Sequence, residues 1–593
     1  MDFLARNALG RSRARELSKK PERRGVLRIT RINIGGVSFE TGAVNVFVGK
    51  NNSGKSTLLR EVSALCFPQN HTQFKDTKWK AEIAISVSPL KRTMEEVFER
   101  PDLIPEVESA NTNEVVSHLR PRVTRSIEHS SAANGRRLSG IATSSCYESG
   151  EPFELTVDDR GGVGSDARTS DHVLKWILDF LSTVYISTEF CEDRLSKSFG
   201  TRIEDIEAMA SGPTDRIAGL YLNEAMQKDM NLVLEKVFGV RIGFDDLRQA
   251  DTRLRIMPDR SIPHDVVGVV EKARWWSNNS PLLSEQGDGL KAFASLLLTL
   301  TDPFSKVIFI DEPETFLHPP QRREMGKAVV DAANHGKQVF VATHDADFIR
   351  GVLTEECDPC VMYLNIIGGN HTAERIDLAT FADCRTSGSD RAKAGVQMLN
   401  ERVINSLFYD QTILVENEND RVVYEYYCQQ RLYAELQGRH FIGLNGSGTV
   451  LVLFDLMANA KMSVCCIMDI DFLLNAEASS SFVNQAAPLL REKHSRFAND
   501  MHERDDYEEV KKSLKKNGLE AFDEKSRIVA EELIEEYGRY GVHIIPQGEL
   551  ESWFSADQPI GKNDIGKMLE AISNDEVELE NLHRFMERVF QSK

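Results

Sequence analysis

No apolar run in this chain approaches the roughly eighteen residues that a membrane-spanning helix needs, and its N-terminus lacks the apolar core of a secretory signal. Neither a membrane protein nor an exported one is expected. Cysteine is sparse, nine scattered through 593 residues. Cys357 and Cys360 form one C-x-x-C, but no second pair stands at zinc-ribbon spacing. Free thiols in a reducing cytoplasm are the expectation. A basic excess is also missing: 72 Lys+Arg face 91 Asp+Glu, for a net charge of −19. That argues against a surface that coats nucleic acid by charge alone. It leaves room for a local basic groove or for metal-mediated contact with phosphate. Residues 1–24 (MDFLARNALGRSRARELSKKPERR) are the basic exception and read as a solvated arm. Sustained heptads are absent, so a long coiled-coil arm is not expected.

The first half of the chain contains VNVFVGKNNSGKSTLLREV, which reads as strand, loop and helix. Its loop, Gly49 to Ser56, satisfies G-x-x-x-x-G-K-[ST]. Backbone N–H groups from Gly49 through Asn51, Asn52, Ser53 and Gly54 can wrap phosphates, aided by the helix N-terminus at Thr57. Lys55 should reach the β and γ phosphates of ATP, and Ser56 should offer its hydroxyl to Mg²⁺. Further on, KVIFIDEPETFLHP is a buried β-run ending in two acids. The C-terminal ends of strands in a parallel α/β sheet face the ligand crevice. Asp311 would therefore hold the Mg²⁺ shell, and Glu312 would orient or deprotonate the attacking water. KQVFVATHDADF supplies another β-run, ending at His344, which is placed to sense the γ-phosphate. In SEQGDGLKAF, Ser284 and Gly287 open an apolar helix, a second phosphate-seeking N-terminus.

These four motifs, in their order along the chain (P-loop, Ser284–Gly287 signature, Asp311–Glu312 acid pair, His344), resemble the ABC and SMC-like ATPases over roughly residues 26–364. In that group the signature segment of one subunit caps the ATP held by another. One P-loop (Walker A, Gly49 to Ser56) and one signature per chain then imply a homodimer at least. EPETFLHP is similar to the form found in the OLD (overcoming lysogenization defect) and related defence families. A Q-loop glutamine is not identifiable. The stretch of about 70–270 begins strand-like (AEIAISVSP) and turns helical (DHVLKWILDFLSTVY, DRIAGLYLNEAMQKDMNLVLEKVFG), which suggests a compact dimerisation insert.

Near RTSGSDRAKAG the composition turns polar, and a domain boundary is expected between about 380 and 405. This divides the chain into an ATPase domain at 25–390 and a second domain at 400–593. In QTILVENENDRVVYEYYCQQ, Glu416 ends a short strand and Asp420 starts a helix. In VCCIMDIDFLL, strand alternation would put Asp469 and Asp471 on one side. Two such carboxylates repel each other, and a divalent cation is the simplest compensation. Hard oxygen donors suit Mg²⁺ or Mn²⁺. GVHIIPQGELESWF adds Glu549 and Glu551 after a third β-run, Glu551 being favoured as a ligand because Trp553 and Phe554 follow it. The alternative is that each of these acids merely caps a turn or a helix.

A glutamate strand followed by D-x-D, after an ATPase half, resembles the TOPRIM domain shared by topoisomerases, primases and OLD-family nucleases. The resemblance implies an α/β protein: an ABC/SMC-like P-loop ATPase domain with a helical insert, followed by a TOPRIM-like parallel α/β domain. Glu416, Asp469 and Asp471 match the family's acids. Asn417 departs from its usual glycine, and the charged helical stretch from Glu492 to Tyr540 looks like an insertion. A late lysine is also used in the family, for which Lys562 and Lys567 are candidates. The implied activity is ATP-regulated, metal-dependent cleavage of nucleic acid, DNA rather than RNA, in anti-phage defence beside a partner protein or a retron. The alternative is an SMC-like sensor or clamp whose second domain binds without cleaving.

Overall fold

The computed structural model describes residues 27–50, 52–67, 78–87, 153–158, 162–165, 185–197, 199–201, 216–244, 252–258, 263–303, 305–354, 359–367, 370–376, 401–475, 480–554, 560–561, 564–574 and 579–592, with Leu178 and Ser182. In chain order the strands are β1 (Leu27–Ile34), β2 (Val37–Glu40), β3 (Val44–Gly49), β4 (Glu82–Val87), β5 (Phe153–Val157), β6 (Val163–Ser165), β7 (Ile186–Glu189), β8 (Gly200–Thr201), β9 (Ile242–Phe244), β10 (Thr252–Ile256), β11 (Val307–Asp311), β12 (Gln338–Ala342), β13 (Cys360–Ile367), β14 (Asn370–Ile376), β15 (Gln411–Val415), β16 (Arg439–Gly443), β17 (Val464–Met468) and β18 (Val542–Ile544). Two compact units emerge: Met1–Phe47 with Gly54–Ala373, and Val48–Ser53 with Glu374–Lys593.

The first unit is built on a six-stranded sheet in the order β14-β13-β3-β12-β11-β7. Strands β3, β12, β11 and β7 run parallel. Strands covered on both faces must be apolar along their length, and VNVFVG, VIFID and QVFVA are buried at every position. Phe309 of β11 stacks on Phe340 of β12 with centroids 5.0 Å apart. A second sheet, β2-β1-β4-β5-β6, is antiparallel. Its β1 alternates buried and less buried positions, as a strand with one wetted face does. AEIAISV forms β4. In the expected insert, the described helices include Arg216–Leu222 and the 15-residue Glu224–Phe238. The basic arm at 1–24, Asn51, Cys357, Lys562 and most of DHVLKWILDFLSTVY lie outside the described residues.

The second unit is a four-stranded sheet, all parallel, in the order β16-β15-β17-β18. The chain passes from β15 to β16 on one side, then returns to the other side of β15 for β17. Such a reversal opens a crevice at the C-terminal strand ends, where ligands bind in open α/β sheets. The helices Pro488–His502, Tyr507–Asn517 and Glu524–Gly538 occupy the charged stretch between β17 and β18. Among the described residues, Cys66, Cys191, Cys360, Cys428, Cys465 and Cys466 are free thiols, and no helix is long and apolar enough to cross a membrane.

Candidate functional site

The loop leaving β3 turns on backbone that most side chains avoid. Asn52 has φ 65°, and Gly54, the N-cap of the helix Lys55–Leu65, has φ 81°. A Cβ at Gly54 would sit 2.9 Å from the indole nitrogen of Trp79, so glycine is required there by space as well as by conformation. Ser53 N–H donates to the Lys50 carbonyl, which closes the turn. Lys55 and Ser56 are the first two residues of the helix. Ser56 Oγ donates to Asp311 Oδ1 at 2.7 Å, so the P-loop helix and the end of β11 are joined by a short bond to a carboxylate. Burial pulls the Lys55 ammonium down from its ordinary pKa, while Glu312, Glu314 and Asp311 oppose that shift. Burial raises Asp311, and the Ser56 bond works against it.

Glu312 lies just beyond β11 at φ 47°, in the left-handed region. Its Oε1 stands 3.6 Å from His344 Nδ1. The same ring nitrogen is 3.3 Å from Glu314 Oε1. That Glu314 oxygen also accepts from Thr343 Oγ1 at 2.9 Å and from the His344 N–H at 3.1 Å. Glu314 is buried and its pKa is pushed up, by desolvation above all; its Oε2 has no hydrogen-bond partner among the described residues. Glu314 went unnoticed in the sequence because EPE reads as an acid pair plus a turn, and only the fold shows the third acid turning inward. Ser284 and Gly287 belong to a separate element. Ser284 lies in the short turn Leu283–Glu285, and Gly287 caps the helix Asp288–Thr301. In that helix a Cβ on Gly289 would fall 2.8 Å from the Phe316 carbonyl oxygen, so the signature helix lies against the turn that follows Glu312.

The second unit gathers acids at the crevice between β15 and β17. Glu416 follows β15 directly, and Asp469 follows β17. The Asp469 N–H donates to Glu416 Oε1 at 3.2 Å. The expectation that Asp469 and Asp471 share one side of a strand is corrected: β17 ends at Met468, Asp469 is an N-cap, and Asp471 lies within the 3-10 turn Ile470–Leu474. The apolar run breaks because the chain curls as soon as it leaves the sheet. Desolvation raises the Asp469 pKa most, followed by the negative charges of Glu416, Glu549, Asp420 and Asp471. Asp420 is pushed up to about 7, again by burial first and then by Glu416. Asp420 also has a capping role: its carboxylate accepts the Asn417 N–H at 3.2 Å, and Asn417 Oδ1 accepts the Asp420 N–H at 3.1 Å. Asn417, the departure from glycine, is thus the N-cap of the helix Glu418–Arg431.

Glu549 and Glu551 both border this cluster. Glu551 adds to the charge felt by Asp420. Glu549, the less favoured of the two in the sequence, is the one tied in by a side-chain bond. Lys515 Nζ donates to Glu549 Oε1 at 2.7 Å and stands 3.4 Å from Asp471 Oδ2. Lys515 was missed because it sits in a charged helix, YEEVKKSLKKN, that reads as a solvated face. Lys567 instead pairs with Asp564 on an exposed surface. The donor set is chemically suited to a hard divalent cation, since crowded carboxylates that raise one another's pKa lack positive charge. As the side chains stand, no group of three His, Cys, Asp or Glu among the described residues could hold a metal ion.

Residues 219–350 match the family described as "AAA domain, putative AbiEii toxin, Type IV TA system". Over 178 residues the chain is 23% identical to the Old nuclease of Escherichia phage P2, covering 28% of each protein. Over 72 residues it is 38% identical to an ATP/GTP phosphatase of Helicobacter pylori, covering 12% of this chain and 20% of that one. The matched stretches therefore span less than a third of either relative. The SmcHead bound to the C-winged helix domain of ScpA overlaps 59% of this chain and 98% of its own, at 12% identity and a TM-score of 0.37, too loosely to carry an argument. The family match takes in the helix Asp288–Thr301, the acids closing β11, and His344. Together with a P-loop helix bonded to Asp311, it makes the first unit an ATPase domain.

Proposed function

We propose that the chain is an ATP-regulated, divalent-metal-dependent nuclease of the OLD type, with a TOPRIM-like second domain. The observation that carries this reading is the meeting of Glu416 and Asp469 at the switch point of a parallel sheet, in a chain that also holds a P-loop ATPase domain. The partial likeness to a protein named Old nuclease supports it. In the ATPase domain, Lys55 and the loop N–H groups bind the phosphates of ATP. Ser56 and Asp311 would hold Mg²⁺, Glu312 would orient the attacking water, and His344 would sense the γ-phosphate. Ser284 and Gly287 present a helix N-terminus that serves the ATP of a second copy, which makes a homodimer the working form.

In the second unit Glu416, Asp469 and Asp471, with Asp420 and Glu551 beside them, would hold Mg²⁺ or Mn²⁺. A bound divalent cation supplies Lewis-acid stabilisation of phosphodiester charge. The protein's own carboxylates orient that cation, and Lys515 keeps Asp471 and Glu549 in place. DNA is the preferred substrate class, and defence against phage, in a cytoplasm and beside a partner protein or a retron, is the corresponding role. The test is cleavage of plasmid and linear DNA and of structured RNA, with Mg²⁺ or Mn²⁺, with and without ATP, for the wild type and Asp469→Asn. Cleavage of equal rate in the two proteins would refute the assignment.

One observation favours a second reading. Lys515 already offsets two of the acids, and the carboxylates do not close on a metal as they stand. An SMC-like ATPase clamp, whose second domain binds nucleic acid or a partner without cleaving it, would show ATP hydrolysis and metal-independent binding but no cleavage.

A further inference from the structure

Strand β7 is the edge of the ATPase sheet and pairs in parallel with β11. The turn that leaves it, residues 190–197, carries Arg194, a side chain with no exposed surface. Buried guanidinium groups ordinarily pair with carboxylates. This one spends its hydrogen bonds on main-chain carbonyls. Nη1 donates to the Glu312 oxygen at 2.8 Å, and Nη2 donates to Asp311 at 2.5 Å and to Glu189 at 3.3 Å. Its Nε has no hydrogen-bond partner among the described residues. The acid that ends β7, Glu189, is already engaged by Lys197, Arg216 and Thr299.

Two of the three carbonyls that Arg194 grips, those of Asp311 and Glu312, belong to the peptide planes on either side of the Glu312 backbone, which is held at φ 47°. A non-glycine residue stays in that conformation only when its surroundings over-determine it. The peptide orientation there sets where two carboxylates go: Asp311 toward Ser56, and Glu312 toward His344. We propose that Arg194 is a positioning residue for ATP hydrolysis, clamping the main chain of Asp311 and Glu312 so that the Glu312 carboxylate keeps its place beside the nucleotide. The inference rests on Glu312 being the water-orienting acid proposed above.

The test uses the full chain with Arg194→Met, Arg194→Lys, Arg194→Ala and Glu312→Gln. ATP affinity is measured at equilibrium with Mg²⁺, alongside kcat, KM and the melting temperature. Misplacing a reacting group by about 1 Å can cost on the order of 100-fold in rate. Arg194→Met should therefore lose about 10- to 100-fold in kcat, with ATP affinity within about threefold of wild type. Arg194→Lys should recover part of that loss, and added guanidinium should partly restore kcat to Arg194→Ala. A folded Arg194→Met or Arg194→Lys with wild-type kcat overturns the proposal, as does loss of ATP affinity in step with kcat. If the Met and Ala variants do not fold, the Lys variant decides. Undiminished hydrolysis by Glu312→Gln would instead remove the assignment of Glu312 on which the clamp depends. A silent Glu312→Gln together with an unaffected Arg194→Met separates failure of the clamp from failure of that assignment.

Discussion

Thr343 Oγ1 and the His344 N–H converge on one oxygen of Glu314, at 2.9 and 3.1 Å. Glu314 thus ties the end of β12 to the turn after β11. Removing the acceptor leaves buried donors without a partner, at a cost of about 1–3 kcal/mol. Glu314→Ala should lower the melting temperature and reduce ATP turnover about tenfold through displacement of His344, with ATP affinity little changed. Paired measurements of kcat and equilibrium ATP binding would check this. Unchanged turnover in a folded variant would show that His344 needs no such support.

Lys55 lies among three acids that oppose the effect of its burial. Lys55→Ala should abolish ATP binding measurably by calorimetry, and Ser56→Ala should weaken binding chiefly when Mg²⁺ is present. Equal weakening of Ser56→Ala with and without Mg²⁺ would argue that the hydroxyl serves only its bond to Asp311.

At the acid crevice, Asp469→Asn should cut DNA cleavage by about 100-fold or more, as loss of a metal-holding carboxylate does. Lys515→Met should reduce it by on the order of 10-fold, by leaving Asp471 and Glu549 without their shared cation. Gel-based cleavage rates at fixed Mg²⁺ distinguish the two. A Lys515→Met protein that cuts at the wild-type rate would make the lysine a fold contact alone.

His543 in β18 is buried against Phe585, with Nε2 2.5 Å from Ser592 Oγ. Burial first, and then the charge of Arg588, push its pKa down to about 4. Its ordinary value is near 6.5. Below pH 6.5 the unfolded chain takes up a proton that the folded one refuses. Stability is therefore full above pH 6.5, lost as pH falls from 6.5 toward 4, and level below that, at about 1.4 kcal/mol per unit within the window. His543→Gln should flatten the decline between pH 6.5 and 5, a difference of about 2 kcal/mol at pH 5. Calorimetric melts of both proteins across that range measure it; parallel curves would contradict the assignment.

Asn417 caps the helix that begins beside Glu416. Asn417→Ala should cost about 1 kcal/mol and Asn417→Gly only a few tenths. Denaturant titrations resolve that difference, and a larger loss for glycine than for alanine would contradict the capping role.

Local chemistry was legible in the sequence; distant partnership was not. The P-loop and the acids closing β11 are contiguous strings whose residue types follow from what a phosphate or a cation requires. Glu416 and Asp469 could be read as strand-end acids because apolar runs stop at them. The parallel pairing of β15 with β17 is what brings these two acids together across 53 positions. The D-x-D pair was read with a strand's period, but the strand had already ended. Arg194, Glu314 and Lys515 carry no local signature. Each is an ordinary polar residue that matters because the fold delivers it to a site built from elsewhere in the chain.

The strand bearing the P-loop pairs with β12, nearly the whole ATPase unit later in the chain. The main chain of Ile29 is likewise bonded to the side chain of Gln338, 309 positions away. During synthesis, β3 therefore leaves the ribosome with the side it will offer to β12 unpaired, and it stays so until the residues around 338 emerge. Contacts of such long sequence separation form slowly and leave apolar edges open meanwhile. A message cut short within the intervening region yields not a weak ATPase but an exposed strand edge, a substrate for chaperones and proteases.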